Sequence, residues 1–248
     1  MPPTRSPLPA FDLLPRLAPD ETIATNAREG SSMNSDARAN RVGPWMGVAF
    51  VVLFVAGFIA FPTPDDNKDT VKWARWWTDS GHRVGAIIGA YLMVLGLLAF
   101  VWFMWSLNQR LRDRGGMMIT FGSLFVALAM ISALVRASIA GSKQFGDTPV
   151  PPGDFARQFD QIGFGVLLVA GALTAGAFIA TASYLARRDA ILPGWLTMAG
   201  YVVAVLQLAA ALFFPFILFP LWVLVVSIVL VRHESRVDAR VPVAPTSA

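Results

Sequence analysis

Cysteine is absent from the 248 residues and histidine occurs only twice. Without cysteine the chain can form no disulfide, thiolate metal site or cysteine nucleophile. His82 and His233 stand outside every long apolar run. They are expected on opposite sides of a membrane, which excludes a bis-histidine haem held between helices. No HExxH, GxSxG or Walker A pattern occurs. No catalytic, cofactor-binding or metal-ligating residues are expected, and an enzyme is the least supported class. Charge is also scarce. Charged side chains make up 15% of the chain, against roughly 25% in globular proteins.

Long apolar runs fill the space that charge leaves. Hydrophobic residues make up 55% of the chain. They gather in blocks at Pro44–Phe61, Val84–Leu107, Met117–Ala140, Ile162–Ala186, Ile191–Ala211 and Phe213–Val231. A bilayer core of about 30 Å takes about 20 helical residues, and these blocks are of that size. The expected fold is all-α, a polytopic membrane bundle of six transmembrane helices. The last two blocks are nearly continuous. They are divided at Leu212–Phe216, because Pro215 suits the first turn of a helix and disfavours one running through it. Pro220 is expected to kink the sixth helix.

Residues 1–42 are rich in Pro, Ala and Ser and show no apolar periodicity. They are expected to be a disordered cytoplasmic tail, as is 232–248, with 43–231 the transmembrane domain. No apolar core follows a basic start, so 1–42 is not a signal peptide. Met33 opens the segment directly before the first block and is an alternative start of translation to Met1, which N-terminal mass spectrometry distinguishes.

Orientation follows from the basic residues flanking the blocks. Arg38 and Arg41, then Arg110, Arg112 and Arg114, then Arg187 and Arg188, then Arg232, Arg236 and Arg240 all fall on one side of six spans. In loops 62–83 and 141–161 the bases are offset by aspartates. Both termini are therefore expected inside, in a plasma membrane. Trp45, Trp105 and Trp195 mark the inner boundary, and Trp73, Trp76 and Trp77 the outer one, where amphipathic indoles favour the interface. The net charge of +4 follows from these flanks, and a nucleic-acid partner is excluded.

The two outer loops share a pattern. Trp73-Ala74-Arg75-Trp76-Trp77 matches Phe155-Ala156-Arg157-Gln158-Phe159, and Gly81, Val84 and Gly89 match Gly163, Val166 and Gly171 in the same register. Hairpins 1–2 and 3–4 are thus expected to be parallel repeats, an arrangement found in transporters. Each motif reads as a short interfacial helix leading into a span.

One candidate site emerges, on the outer face. Arg75, His82, Arg83, Arg136 and Arg157 are expected to converge among Trp73, Trp77, Phe155 and Phe159. A basic, aromatic-lined groove of this kind suits an anion or an anionic lipid. The competing expectation is that these arginines pair with Asp79, Asp154 and Asp160 and act as interfacial anchors. Arg136 is the one ionisable residue inside an apolar block, and near its outer end a guanidinium can snorkel to water. A buried carboxylate is not expected, which argues against an ion-coupled carrier. Small residues recur at four-residue spacing at Gly85 and Gly89, at Ala129, Ala133 and Ala137, and at Ala172, Gly176 and Ala180. Such faces let helices approach closely, within the bundle or in a homo- or hetero-oligomer.

The stretches YLMVLGLLAFVWFMWSLNQRLR and LPGWLTMAG…LWVLVVSIVLVRH resemble the small six-helix membrane proteins of unknown function common in actinobacteria. There the aromatic inner end of helix 2 meets an arginine cluster, and an LP-x-W start opens helix 5. The resemblance spans roughly residues 40–235. It implies the same architecture and no established activity, and it carries over no functional residue. The expected function is that of a non-enzymatic accessory or interaction subunit in contact with the bilayer. The alternative is a carrier or binding protein for a lipid or small amphiphile.

Overall fold

In the computed structural model, residues 42–61, 63–64, 69–113, 115–212 and 214–238 are described, all within the compact unit Ala39–Ala248. These residues form helices and turns, and no strand occurs among them. In chain order the helices are α1 (Val42–Ala60), α2 (Thr70–Trp76), α3 (Ser80–Leu111), α4 (Met117–Gly146), α5 (Gly153–Gly165), α6 (Ala172–Arg188), α7 (Gly194–Leu206) and α8 (Leu218–Asp238).

Five helical stretches are long and apolar enough to cross a membrane, namely Val42–Ala60, Ser80–Leu111, Met117–Gly146, Gly153–Arg188 and Pro215–His233. A shorter apolar helix covers Gly194–Ala210. The fourth stretch starts well before the apolar block that announced it. The amphipathic α5 runs directly into α6 through a π-helical segment, Val166–Gly171. A π turn adds a residue to the turn, which rotates the α6 side chains by about 100° relative to those of α5. The expected break between the fifth and sixth blocks is present. Two 3-10 segments, Gln207–Leu212 and Phe214–Ile217, separate α7 from α8, and Gln207 Nε2 donates to the Pro215 carbonyl at 3.1 Å. Because α8 starts at Leu218, Pro220 falls in its first turn. A missing N–H costs nothing there, so the expected kink has no helix interior to act on. Helix α8 also continues to Asp238, so 232–238 are helical where a tail was expected. The rest of that tail, and 1–41 with Met33, lie outside the described residues.

Short polar loops stop and restart the helices. Asp69 caps α2 by accepting from the Val71 and Lys72 amides, and Asp79 caps α3 through Gly81 and His82. At the opposite end of the bundle, Arg112 ends α3 in the left-handed region at φ 48°. Asp113 then accepts from the Gly115 and Met118 amides to start α4. Arg188 braces that turn, with Nη2 donating to the Leu111 and Arg112 carbonyls.

The centre of the bundle is aromatic. Phe50, Phe100, Phe125, Phe178 and Phe219 are fully buried. Phe100 lies 4.9–5.6 Å from each of Phe50, Phe125, Phe178 and Phe219 between ring centroids. Tilted and edge-on pairs of this kind are favourable beyond their burial. Helix α3 packs on α4, α4 on α5 and α6, and α6 on α7. Helix α1 lies on α3 through glycines. A Cβ on Gly57 would stand 2.7 Å from the Gly89 carbonyl oxygen, and one on Gly89 would stand 2.8 Å from that of Gly57. Gly176 meets α7 in the same way, against Ala204 O and Gln207 Cβ. These two small-residue positions are thus occupied inside the bundle.

Trp45, Trp105 and Trp195 are exposed. The two aromatic-Ala-Arg motifs are both helical, in α2 and α5, and those helices touch. Their environments differ. Trp73 is buried where its counterpart Phe155 is half exposed, and Ala156 is buried where Ala74 is intermediate.

Candidate functional site

The expected outer cluster lies at the end of the bundle that carries α2, and it divides into three separate arrangements.

The first is a cap core. Trp73 on α2 and Trp77 at its C-terminal cap sit one turn apart and are 2% and 1% exposed. They pack with Phe61, Ala86, Ile139, Ala140 and Ala156. Sequence reading set them at a groove because amphipathic indoles favour interfaces. Here α1, α3, α4 and α5 cover them instead, so they fix α2 in place. Arg83 serves the same end. Its Nη1 donates to the Trp77 and Thr78 carbonyls at 2.9 and 2.7 Å, closing the C-terminus of α2, and its Nε donates to Gln144 Oε1 of α4.

The second is a buried ion pair. Arg136 Nε donates to Asp160 Oδ1 at 2.8 Å, and the two side chains are 2% and 8% exposed. The guanidinium carbon lies 3.9 Å from the Phe164 ring centroid, 4.1 Å from that of Phe61 and 5.9 Å from that of Phe58. Aromatic faces attract a cation electrostatically, more so once water is excluded. The snorkelling expected for Arg136 is therefore corrected: its charge is answered inside the protein by α5 and by rings from α1 and α5. The expectation that no carboxylate is buried is corrected with it. Asp160 was expected as a partner for one of the cluster arginines, as an exposed anchor; its burial was not expected, because it lies ahead of its apolar block, 24 residues from Arg136. Only the packing of α4 on α5 joins the two. The signal in the sequence was Asp160, Gly163 and Phe164 at helical spacing on one face of an amphipathic segment. A Cβ at Gly163 would press on the Arg136 side chain, so glycine is what admits the guanidinium.

The third is an open pocket of about 490 Å³ between α2 and the start of α3, lined by Pro64, Lys72, Arg75, Trp76, Thr78, Asp79 and His82. Of the expected cluster it contains Arg75 and His82. The Trp76 and His82 rings stack at 3.6 Å and 4°. His82 Nδ1 lies 3.2 Å from the Trp76 carbonyl oxygen. A carbonyl only accepts, so this contact assigns the proton to Nδ1. Lys72 and Trp76 were not placed in the site by sequence reasoning, although Lys72 and Arg75 share a helix face by their spacing.

The remaining residues do not join the pocket. Arg157 lies near Asp154 on α5, 4.0 Å away, and Phe155 packs against Phe159 at 4.8 Å. Among the described residues no group of three or more histidines and carboxylates could hold a metal ion. Comparison of the chain with family models, with curated proteins and with solved structures gives no match.

Proposed function

We propose that this chain is a multi-pass protein of the plasma membrane that acts as a non-enzymatic accessory or interaction subunit. Six crossings place both termini in the cytoplasm, with Gly194–Ala210 and the 3-10 turns after it completing the fifth. The distribution of arginines supports that orientation, and the apolar length of Gly194–Ala210 with the break before α8 supports the count. In this reading the matching motifs of hairpins 1–2 and 3–4 are two amphipathic lead-ins to membrane helices, α2 and α5.

The observation that carries the proposal is the filled centre. Phe50, Phe125, Phe178 and Phe219 packed around Phe100 give an apolar body with a filled centre. Such a body suits contact with other membrane helices better than passage of a solute. The test is purification from native membranes in mild detergent. A complex of fixed stoichiometry is expected. A monomer without partner across several detergents would count against the proposal.

A second reading, a binding protein for a lipid or small amphiphile, is favoured by the basic pocket of Lys72, Arg75 and His82. The filled centre leaves that role to the periphery of the bundle, where this pocket is the one lined by Lys72, Arg75 and His82.

A further inference from the structure

We infer that the pocket between α2 and the start of α3 binds a phosphate group, carried by a lipid headgroup or by a soluble phosphate ester. This deepens the binding reading and is independent of the accessory one.

The charges in the pocket are unequal. Lys72 and Arg75 lie at i and i+3 on the exposed face of α2 and both line the pocket. No described side chain accepts a hydrogen bond from either. Among the described lining residues the single carboxylate, Asp79, is already engaged. Its Oδ1 accepts from the Gly81 amide at 2.6 Å and the His82 amide at 3.4 Å. The Thr78 hydroxyl is likewise turned to the Arg75 carbonyl at 2.6 Å. Among the described residues two cations therefore face one capping carboxylate, a balance that suits an anion.

The scaffold is built before any ligand arrives. Trp73 and Trp77 bury the opposite face of α2, and Arg83 holds its C-terminus. The stacked Trp76 and His82 rings form a flat wall, with His82 Nδ1 held by the Trp76 carbonyl. A pre-formed site avoids the ordering cost that weakens anion binding on a mobile surface. Arginine offers a planar fork that matches phosphate oxygens, and lysine offers a point charge beside it. A volume of about 490 Å³ has room for more than a bare oxyanion, which favours an ester.

The test uses the purified full-length chain in mild detergent and native mass spectrometry. Three probes are titrated: dioctanoyl phosphatidylglycerol, dioctanoylglycerol and glycerol 3-phosphate. The two phosphate-bearing probes should bind, and dioctanoylglycerol should not. Tighter binding of the lipid identifies a headgroup as the occupant, and equal binding of glycerol 3-phosphate identifies a soluble ester. Lys72→Ala and Arg75→Ala should each weaken phosphate binding by about tenfold or more. Arg75→Lys should recover only part of it, and Arg232→Ala, at the far end of the bundle, should change nothing. Dioctanoylglycerol binding as well as the phospholipid would overturn the inference. So would wild-type affinity in both Lys72→Ala and Arg75→Ala. A partner that co-purifies with wild type and both variants alike would leave the accessory reading standing after that failure.

Discussion

Arg136 and Asp160 meet at 2.8 Å, in a part of the bundle where phenylalanine rings replace water around the guanidinium. The pair ties α4 to α5, and the rings of Phe58 and Phe61 bring in the end of α1 next to it. Taking two charges out of water is costly. Removing one of a buried pair leaves the other uncompensated, at a cost of about 3–5 kcal/mol, whereas replacing both with apolar groups is often neutral. Arg136→Met and Asp160→Leu should therefore each lower the thermal unfolding temperature in detergent. The double variant should recover most of the loss. Additive losses would mean that the two charges are solvated separately.

The glycine contact between α1 and α3 gives a second test. Gly57 and Gly89 each face the other's carbonyl oxygen closely enough that an added Cβ must displace backbone. Gly89→Val should destabilise the bundle by about 1–3 kcal/mol, the usual cost of overpacking. Gly141→Val, at a position with open space around it, should cost far less. Equal unfolding temperatures for the two variants would show that α1 does not lie against α3 at this glycine.

The apolar blocks were legible because hydropathy integrates over twenty residues. They located the core of each long helix and the break near Pro215. The ends of the helices were less legible. Helix α3 begins at Ser80 and runs to Leu111, beyond both ends of its block, because Asp79 and Arg112 set the caps and apolarity does not. Helix α5 was legible as a short interfacial helix from its aromatic-Ala-Arg motif, but its continuation into α6 as one stretch, Gly153–Arg188, was not, because its polar face dilutes its hydropathy. Pairing of Arg136 with an outer aspartate was among the expectations, but which aspartate, and the burial of the pair, were illegible for a different reason. Hydropathy weighs each charge alone, and nothing local to Arg136 points to Asp160. Arg75 and His82 were legible as neighbours because they are close in the chain. The separation of Arg157 and Arg83 from them depends on which way α2 faces.

A third prediction concerns acid. The Arg188 guanidinium grips Asp189 through Nε and Nη2, at 2.8 and 3.0 Å. That hydrogen bonding holds the Asp189 carboxyl below its ordinary value. A carboxylate depressed in the folded state contributes stability above its unfolded pKa, about 3.9, and loses it as pH falls through the lower folded value. Wild type should therefore lose part of its thermal stability as pH drops below about 4, and Asp189→Asn should remove that component. The effect should be small because both side chains are partly exposed. An identical pH profile in Asp189→Asn would show that the contact is not linked to folding.

Arg188 also joins the ends of α3 and α6 by donating to the Leu111 and Arg112 carbonyls. Arg188→Ala should raise hydrogen exchange in the turn 111–116, with the α2 end of the bundle unaffected. Lysine should restore the charge at the α3 C-terminus without the two-carbonyl reach. Exchange in 111–116 that does not change in Arg188→Ala would remove the bracing role.

A membrane bundle of six crossings with both termini in the cytoplasm is the central proposal, and cysteine labelling tests it directly. The chain contains no cysteine, so every label reports the position introduced. Single substitutions Arg112→Cys, Asp147→Cys and Arg236→Cys are exposed to a membrane-impermeant maleimide in intact cells and again after lysis. Asp147→Cys should label in intact cells, while Arg112→Cys and Arg236→Cys should label only after lysis. Labelling of Arg236→Cys in intact cells would contradict this topology. It would mean that Ile191–Val231 crosses once and that the C-terminus lies outside.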